Sequence, residues 1–446
     1  MNNILVVAYY FPPLGGGGTQ RTLKFAKYLP NFGWNPIIFT VKNSHYLVMD
    51  STLVDEIPKN LQIVKTSAIL PARFFRKAMG YSVNKQEKNY QSDSKITFIK
   101  KGILAFLTFF KNIFYTLLFV PDEYIGWLPF AVLSAVKLIK TSNIGLIFTT
   151  SPPNSCHLIG WALKWFTGKF WVVDFRDLWD QYPDNYNPFH LQFKRRLDDF
   201  LERKVIFKAD RIIVVSEVMK TQIVEKYPEV DKNKISIIMN GYDSEDFESL
   251  SPILSPDKFV IVHSGTLFHW RKATHFLQAI KNLLEKEDFF KNHLLIKFLG
   301  IVNVEDQNAI KNWGLEPYVQ IMDYLPHKES LRHLLGAELL LLIVGDIPNA
   351  KNMVTSKVFD YIAAKKPILS LAHDCVVNRI IQKNELGSCV SPYNVSDIEK
   401  AIAYYFRQYI NSGIPYTSSF DGNNFQKYQR RYLTERLSQI LEELIS

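Results

Sequence analysis

Apolar and polar positions along the chain fall into alternating blocks, one of strand length and the next at helical spacing. Ile4 to Phe11 is an apolar run of strand length, broken by Pro12-Pro13-Leu14-Gly15-Gly16-Gly17-Gly18. Thr19 is placed as the N-cap of the next helix, because its hydroxyl can accept from a free backbone N–H. Leu23, Ala26 and Leu29 recur at helical spacing, and Gly33 stops the helix. Pro36 to Val41 reads as the next strand. A strand, helix, strand unit implies a parallel sheet.

The pattern resumes after residue 140. Strands are expected at Leu146–Thr149, Phe170–Phe175, Arg211–Val215 and Ile235–Met239, with Ser216 capping one intervening helix and Asn240-Gly241 turning the chain. A second set follows at Phe259–His263, Leu294–Leu299, Val319–Met322, Leu339–Val344 and Pro367–Leu371. Two α/β sets joined by the polar stretch Asp243–Asp257 predict two Rossmann-like domains, residues 1–250 and 251–446. An amphipathic helix over about Phe425–Ile445 is expected to pack back on the first.

Residues 42–140 fit the alternation poorly. Ile103 to Val120 is apolar apart from Thr108, Lys111, Asn112 and Thr116, and Lys111 near its middle argues against a membrane span. A helix lying in the membrane interface and a buried core helix both fit it. Charge separates this region from the rest. The chain carries a net charge of +10, yet residues 59–111 alone hold eleven Lys or Arg against Glu87 and Asp93. A basic cluster beside an apolar run points to an anionic membrane surface rather than to nucleic acid, which a basic face would serve. Three cysteines, Cys156, Cys375 and Cys389, are too few and scattered for a disulfide or zinc framework. No secretory signal is read at the amino terminus, so a cytoplasmic protein, peripheral on the inner membrane face, is the expectation.

Four segments are candidates for chemistry. Gly17 and Gly18 lie between a strand and a helix, where backbone N–H groups favour an anion, although a plain tight turn looks the same. Arg176 and Asp177, in Asp174-Phe-Arg-Asp-Leu-Trp179, stand at the carboxyl end of a strand, where open α/β sheets bind ligands. An internal Arg–Asp ion pair would also explain them. Thr355, Ser356 and Lys357 enter a helix and suit a pyrophosphate, with Asp360 one turn on within reach of ribose; a capping box is compatible with the same residues. Gly265, followed by Arg271 and Lys272, offers a turn and two cations for phosphate, or ordinary solvated surface. No metal constellation, H-E-x-x-H pair, D-x-D triplet or G-x-S-x-G elbow is present.

Taken together these motifs resemble the retaining glycosyltransferases of sequence family four, on the GT-B fold. Tyr9 to Arg21 is similar to that group's glycine loop, Asp174 to Trp179 to its D-F-R-D-x-W signature, and Asn240-Gly241-Tyr-Asp243 to its N-G-x-D turn. Gly265-Thr-Leu267 and Ser356 to Ile368 resemble the glycine turn and the S-K-x-F-E-Y segment of the second domain. The resemblance implies a UDP- or GDP-sugar donor on the second domain, a glycan or lipid-linked acceptor on the first, and no required metal or other cofactor. By position it assigns Gly17 and Gly18 to the donor phosphates, Arg271 to a phosphate-binding lysine's place, Asp360 to ribose, and Arg176 or Asp177 to a sugar-contacting place. Three positions depart from it: Asp360 for Glu, Asn352 for Glu, and Thr266 for Arg. Cell-surface polysaccharide synthesis is the expected setting. An inactive nucleotide-sugar-binding subunit and a GT-B epimerase are the alternatives.

Overall fold

In the computed structural model the described residues are 1–42, 48–70, 120–179, 192–267, 270–345, 354–412 and 425–446. Most of the basic and apolar stretch, and Asn352, therefore lie outside the described residues. The strands are β1 (Asn2–Val7), β2 (Trp34–Val41), β3 (Gln62–Thr66), β4 (Ile144–Ser151), β5 (Phe170–Phe175), β6 (Arg211–Val214), β7 (Ile235–Ile237), β8 (Phe259–Ser264), β9 (Leu294–Leu299), β10 (Val319–Met322), β11 (Leu339–Ile343), β12 (Ile368–Leu371) and β13 (Gly387–Val390). Helices α1 (Gly17–Tyr28), α2 (Leu128–Thr141), α3 (Ser155–Thr167), α4 (Gln192–Lys208) and α5 (Glu217–Lys226) accompany the first sheet. Helices α6 (Thr274–Lys286), α7 (Asp288–His293), α8 (Val304–Asn312), α9 (His327–Leu335), α10 (Lys357–Ala364), α11 (Val376–Lys383) and α12 (Val395–Ser412) accompany the second, and α13 (Arg430–Ile445) ends the chain.

The first sheet runs β3-β2-β1-β4-β5-β6-β7 and the second β10-β9-β8-β11-β12-β13. Each pairing within them is parallel. Central strands are covered on both faces, which is why Ile4–Val7, Trp171–Val173 and Leu339–Ile343 read as unbroken apolar runs. Strand order reverses between β1 and β4 and again between β8 and β11. Crevices open at the carboxyl ends of strands at such switch points. The Gly15–Gly18 loop follows β1 and Gly265 follows β8, so both glycine turns stand where ligands bind. The expected two-domain α/β architecture is the observed one.

The helix after the glycine loop starts at Gly17, with Gly16 at the N-cap position in extended positive-φ backbone, not at Thr19. Thr19 lies buried in the first turn, its hydroxyl bonded to the Gly15 carbonyl. The reason is glycine itself, which adopts φ +86° at Gly16 without a Cβ penalty and lets the helix begin early. Ser216 caps α5 as expected, accepting from Met219 N–H at 3.2 Å. At the other end of the chain, Leu433, Leu437, Ile440 and Leu441 of α13 pack with Leu23, Phe25 and Ala26 of α1. The start of α13 is pinned to Asn240-Gly241-Tyr242. Tyr242 N–H donates to the Tyr428 carbonyl at 3.0 Å and Arg430 N–H to the Tyr242 carbonyl at 2.8 Å. A Cβ on Gly241 would overlap that Tyr428 carbonyl, which accounts for the glycine.

Candidate functional site

Two loops from the second sheet press on the glycine loop of the first. A Cβ on Gly17 would meet Ser356 Oγ at 2.5 Å, and one on Gly15 would meet the Tyr324 hydroxyl at 2.5 Å. Asp50 binds this seam as well: it accepts from His327 N–H, at the start of α9, at 2.9 Å and faces the Tyr324 hydroxyl at 3.4 Å. Asn240 reaches the Val354 carbonyl at 3.5 Å. Of the two glycines expected at the donor phosphates, Gly17 is thus brought opposite Ser356, while Gly18 faces Arg176 and Tyr10 of its own domain.

The second-sheet side of the seam is cationic. Ser356 holds the N-cap position of α10 in helical backbone with no side-chain cap bond, so the capping box of the alternative reading does not form. Its hydroxyl faces Gly17 instead. Lys357, the first residue of α10, extends its ammonium onto Gly265, where φ is +120° and a Cβ would overlap Nζ. Among the described residues Lys357 has no hydrogen bond. Burial, and then the neighbouring Arg271, push its ammonium well below the usual lysine range. Arg271 lies half-buried nearby, with Nη1 3.4 Å from the Thr266 carbonyl. Beneath them His263 is kept neutral by burial and by Lys357, its Nδ1 2.9 Å from the Leu341 carbonyl. Gly300, at φ +129°, backs onto Gly265, so the ends of β8 and β9 form paired glycine turns. Lys272 pairs with Glu305 at the exposed edge. Thr355 stands half-buried just before Ser356.

Asp360, one turn into α10, is held differently. Burial pushes its carboxyl up to about 6, against the pull of His327 and Arg430. Since the folded value exceeds the unfolded one, the protonated acid stabilises the ligand-free fold at low pH. That contribution fades as pH rises through about 6. Asp360→Asn is therefore expected to raise the unfolding temperature at pH 7.5 and to flatten the stability loss between pH 4 and 6. Equal pH profiles for the two proteins would refute this.

On the first-sheet side the D-F-R-D segment separates into two jobs. Asp174 does not pair with Arg176. It takes a bidentate pair from Arg21, at 2.7 and 3.0 Å, and a bond from Thr150 at 2.8 Å, with both charged groups fully buried. Arg21 also donates to the Ile238 and Met239 carbonyls at 3.0 and 2.8 Å, tying α1 and β5 to the Asn240 turn. Arg176 gives its guanidinium to three backbone carbonyls: Ser151 at 2.7 Å, Pro152 at 3.0 Å, and Gly18. It braces the glycine loop. Asp177 is half-buried beside it.

A third cluster was not apparent from sequence. Lys24 is buried among Glu56, Asp243 and Asp246, and Asp246 also faces His327 Nε2 at 3.5 Å across the seam. Burial opposes ionisation of Asp246, but His327 and Lys24 hold it at about 2. Among the described residues no group of three or more His, Cys, Asp or Glu is placed to hold a metal ion. Cys156 and His157 are core residues, with His157 Nδ1 2.9 Å from the Thr149 hydroxyl.

Residues 110–246 match the family model described as Glycosyltransferase Family 4. No curated protein matches the chain. Among solved structures, a glycosyltransferase from Rickettsia africae aligns at 16% identity, covering 100% of this chain and 99% of that one, TM-score 0.63. HepE from Anabaena, solved with UDP and glucose, aligns at 13% identity, covering 100% of both chains, TM-score 0.63. The lipopolysaccharide outer core galactosyltransferase WaaB aligns at 11% identity over 99% of each, TM-score 0.55. The chain therefore has the GT-B fold, and its residues 110–246 match the Glycosyltransferase Family 4 model.

Proposed function

We propose that the chain transfers a sugar from a nucleotide-sugar donor, a UDP- or GDP-sugar, to a glycan or lipid-linked acceptor, with retention and without a required metal. Lys357 carries this reading. A half-buried ammonium with no hydrogen bond among the described residues, beside Arg271 and at the start of a helix, favours an anion as its partner. A diphosphate set between Gly265 and Gly17 would meet Lys357, Arg271 and the N-terminal end of α10. HepE was solved with UDP and glucose and with UDP-glucose, which supports that choice of donor. WaaB, named for the lipopolysaccharide outer core, supports a cell-surface glycan as product.

In the reaction the bond between the anomeric carbon and the diphosphate oxygen breaks. An acceptor hydroxyl forms the new glycosidic bond, and its proton passes to the leaving diphosphate. Negative charge develops on that diphosphate, and the fixed N–H groups, Lys357 and Arg271 stabilise it where it appears. Asp360 addresses the ribose. Thr355 and Ser356 line the diphosphate, with Lys272 at its outer edge. Arg176 acts as a positioning residue through the Gly18 carbonyl, and Asp177 is the acceptor-side carboxylate. The acceptor is held at the inner face of an anionic membrane, where the basic stretch of residues 59–120 favours the protein's presence.

Lys357→Ala is expected to lower acceptor-dependent release of nucleoside diphosphate by at least about a hundredfold, the scale of one lost charge-stabilising donor. Activity within a few-fold of the parent, with folding intact, would sink the role given to Lys357. Donor binding without transfer over a broad acceptor panel would move the reading to a donor-binding subunit.

A further inference from the structure

One face of the first domain carries large apolar side chains into solvent. Helices α2, α3 and α4 form one layer on the sheet, α2 against α3 and α3 against α4. Each buries one side: Ala131 and Ala135 on α2, Ile159 and Leu163 on α3, Val205 and Ile206 on α4. The opposite sides expose Leu133 (76%), Trp165 (79%), Phe166 (59%) and Phe200 (50%). Scattered single apolar residues are normal on a surface, but two adjacent exposed aromatic rings, their centroids 5.1 Å apart, flanked by apolar groups on both neighbouring helices are not.

Cations stand among them. Lys137 and Lys140 are exposed on α2, Arg196 on α4, and Lys204 lies over the Phe200 ring at 5.2 Å. Among the described residues, the acids of these three helices are kept off this face. Neither α2 nor α3 contains one. On α4, Asp198 and Glu202 are buried and Asp199 pairs with Lys226 of α5 at 2.9 Å. Segregation of this kind is not needed for the fold, since any polar residue would serve a solvated helix face.

We infer that this α2–α3–α4 face docks on an anionic lipid bilayer. Exposed Trp and Phe suit the boundary between headgroups and acyl chains, while Lys and Arg meet lipid phosphate. A nucleic acid would engage the cations but leave Leu133 and much of the ring area in water. The inference rests on the proposed membrane-held acceptor only for its purpose, because lipid binding is measured without sugar transfer.

The test is co-sedimentation of the full chain with vesicles of neutral phosphatidylcholine, with and without one third phosphatidylglycerol. The parent is expected to bind the anionic vesicles and to release them as salt rises. Trp165→Ser with Phe166→Ser is expected to weaken binding about tenfold or more. Lys137→Glu with Arg196→Glu and Lys204→Glu is expected to do the same and to reduce the salt dependence. Neither set touches the seam, so stabilisation by nucleotide-sugar is expected to stay unchanged and serves as the folding control. Parent-like vesicle binding by both variants would overturn the docking face, as would displacement of the parent from vesicles by an oligonucleotide at equal charge. Loss of nucleotide-sugar binding with lipid binding intact would instead strike only the transferase reading.

Discussion

Asp174→Ala is expected to destabilise the first domain by about 3–5 kcal/mol, the largest single-residue effect in the fold. The carboxylate is fully buried, and so is its partner Arg21. Removing the acid leaves a guanidinium without its countercharge between α1 and β5, still bonded to the Ile238 and Met239 carbonyls. Thr150 loses its acceptor at the same time. Replacing both partners by apolar groups, Arg21→Met with Asp174→Leu, removes the orphan charge and is expected to cost less than the single change. Denaturant unfolding followed by tryptophan fluorescence measures both. A loss under about 1 kcal/mol for Asp174→Ala would show that the pair is not the buried anchor its geometry indicates.

Gly265→Ala is expected to abolish nucleotide-sugar binding while leaving the first domain's unfolding unchanged. Two effects act together there. The backbone sits at φ +120°, which costs an L side chain about 1–3 kcal/mol. The new methyl would also overlap the Lys357 ammonium and force that side chain out of the seam. The second effect decides function, because it displaces the cation on which the proposed donor site depends. The variant should therefore bind no better than Lys357→Ala. Titration calorimetry with the preferred nucleotide-sugar distinguishes the outcomes: parent-like affinity would mean that Lys357 reaches the donor from elsewhere.

Fold and site were legible in the sequence to different depths. Central strands announced themselves, because burial on both faces demands apolar runs such as Leu339–Ile343, found within the Leu339–Val344 stretch where the pattern placed it. β3 and β13 did not. Both are sheet edges, and their residues, Gln62–Thr66 partly exposed and Gly387–Val390 half-buried, form no unbroken apolar run. In the site, local motifs were readable: Lys357 beside a helix start, Gly265 after a strand. Long-range partners were not. Asp174 and Arg176 suggest each other when read along the chain. Only the crossing of α1 over β5 reveals that Arg21, 153 residues away, takes the carboxylate. Arg176 is then left to hold the Gly18 carbonyl. Tyr324, Asp50 and Gly300 gave no local signal, since their roles exist only where the two sheets' loops meet.

The most direct test of the central claim is a thermal-shift comparison of the purified chain with UDP, GDP, ADP, CMP and their common sugar conjugates. Stabilisation grows with ligand concentration over the dissociation constant, so a specific binder stands apart from the rest. A donor site at Lys357, Arg271 and Gly265 predicts a saturable upward shift with UDP or GDP and the matching sugar conjugate, absent in Lys357→Ala. No shift with any nucleotide, or an equal shift in Lys357→Ala, would contradict it.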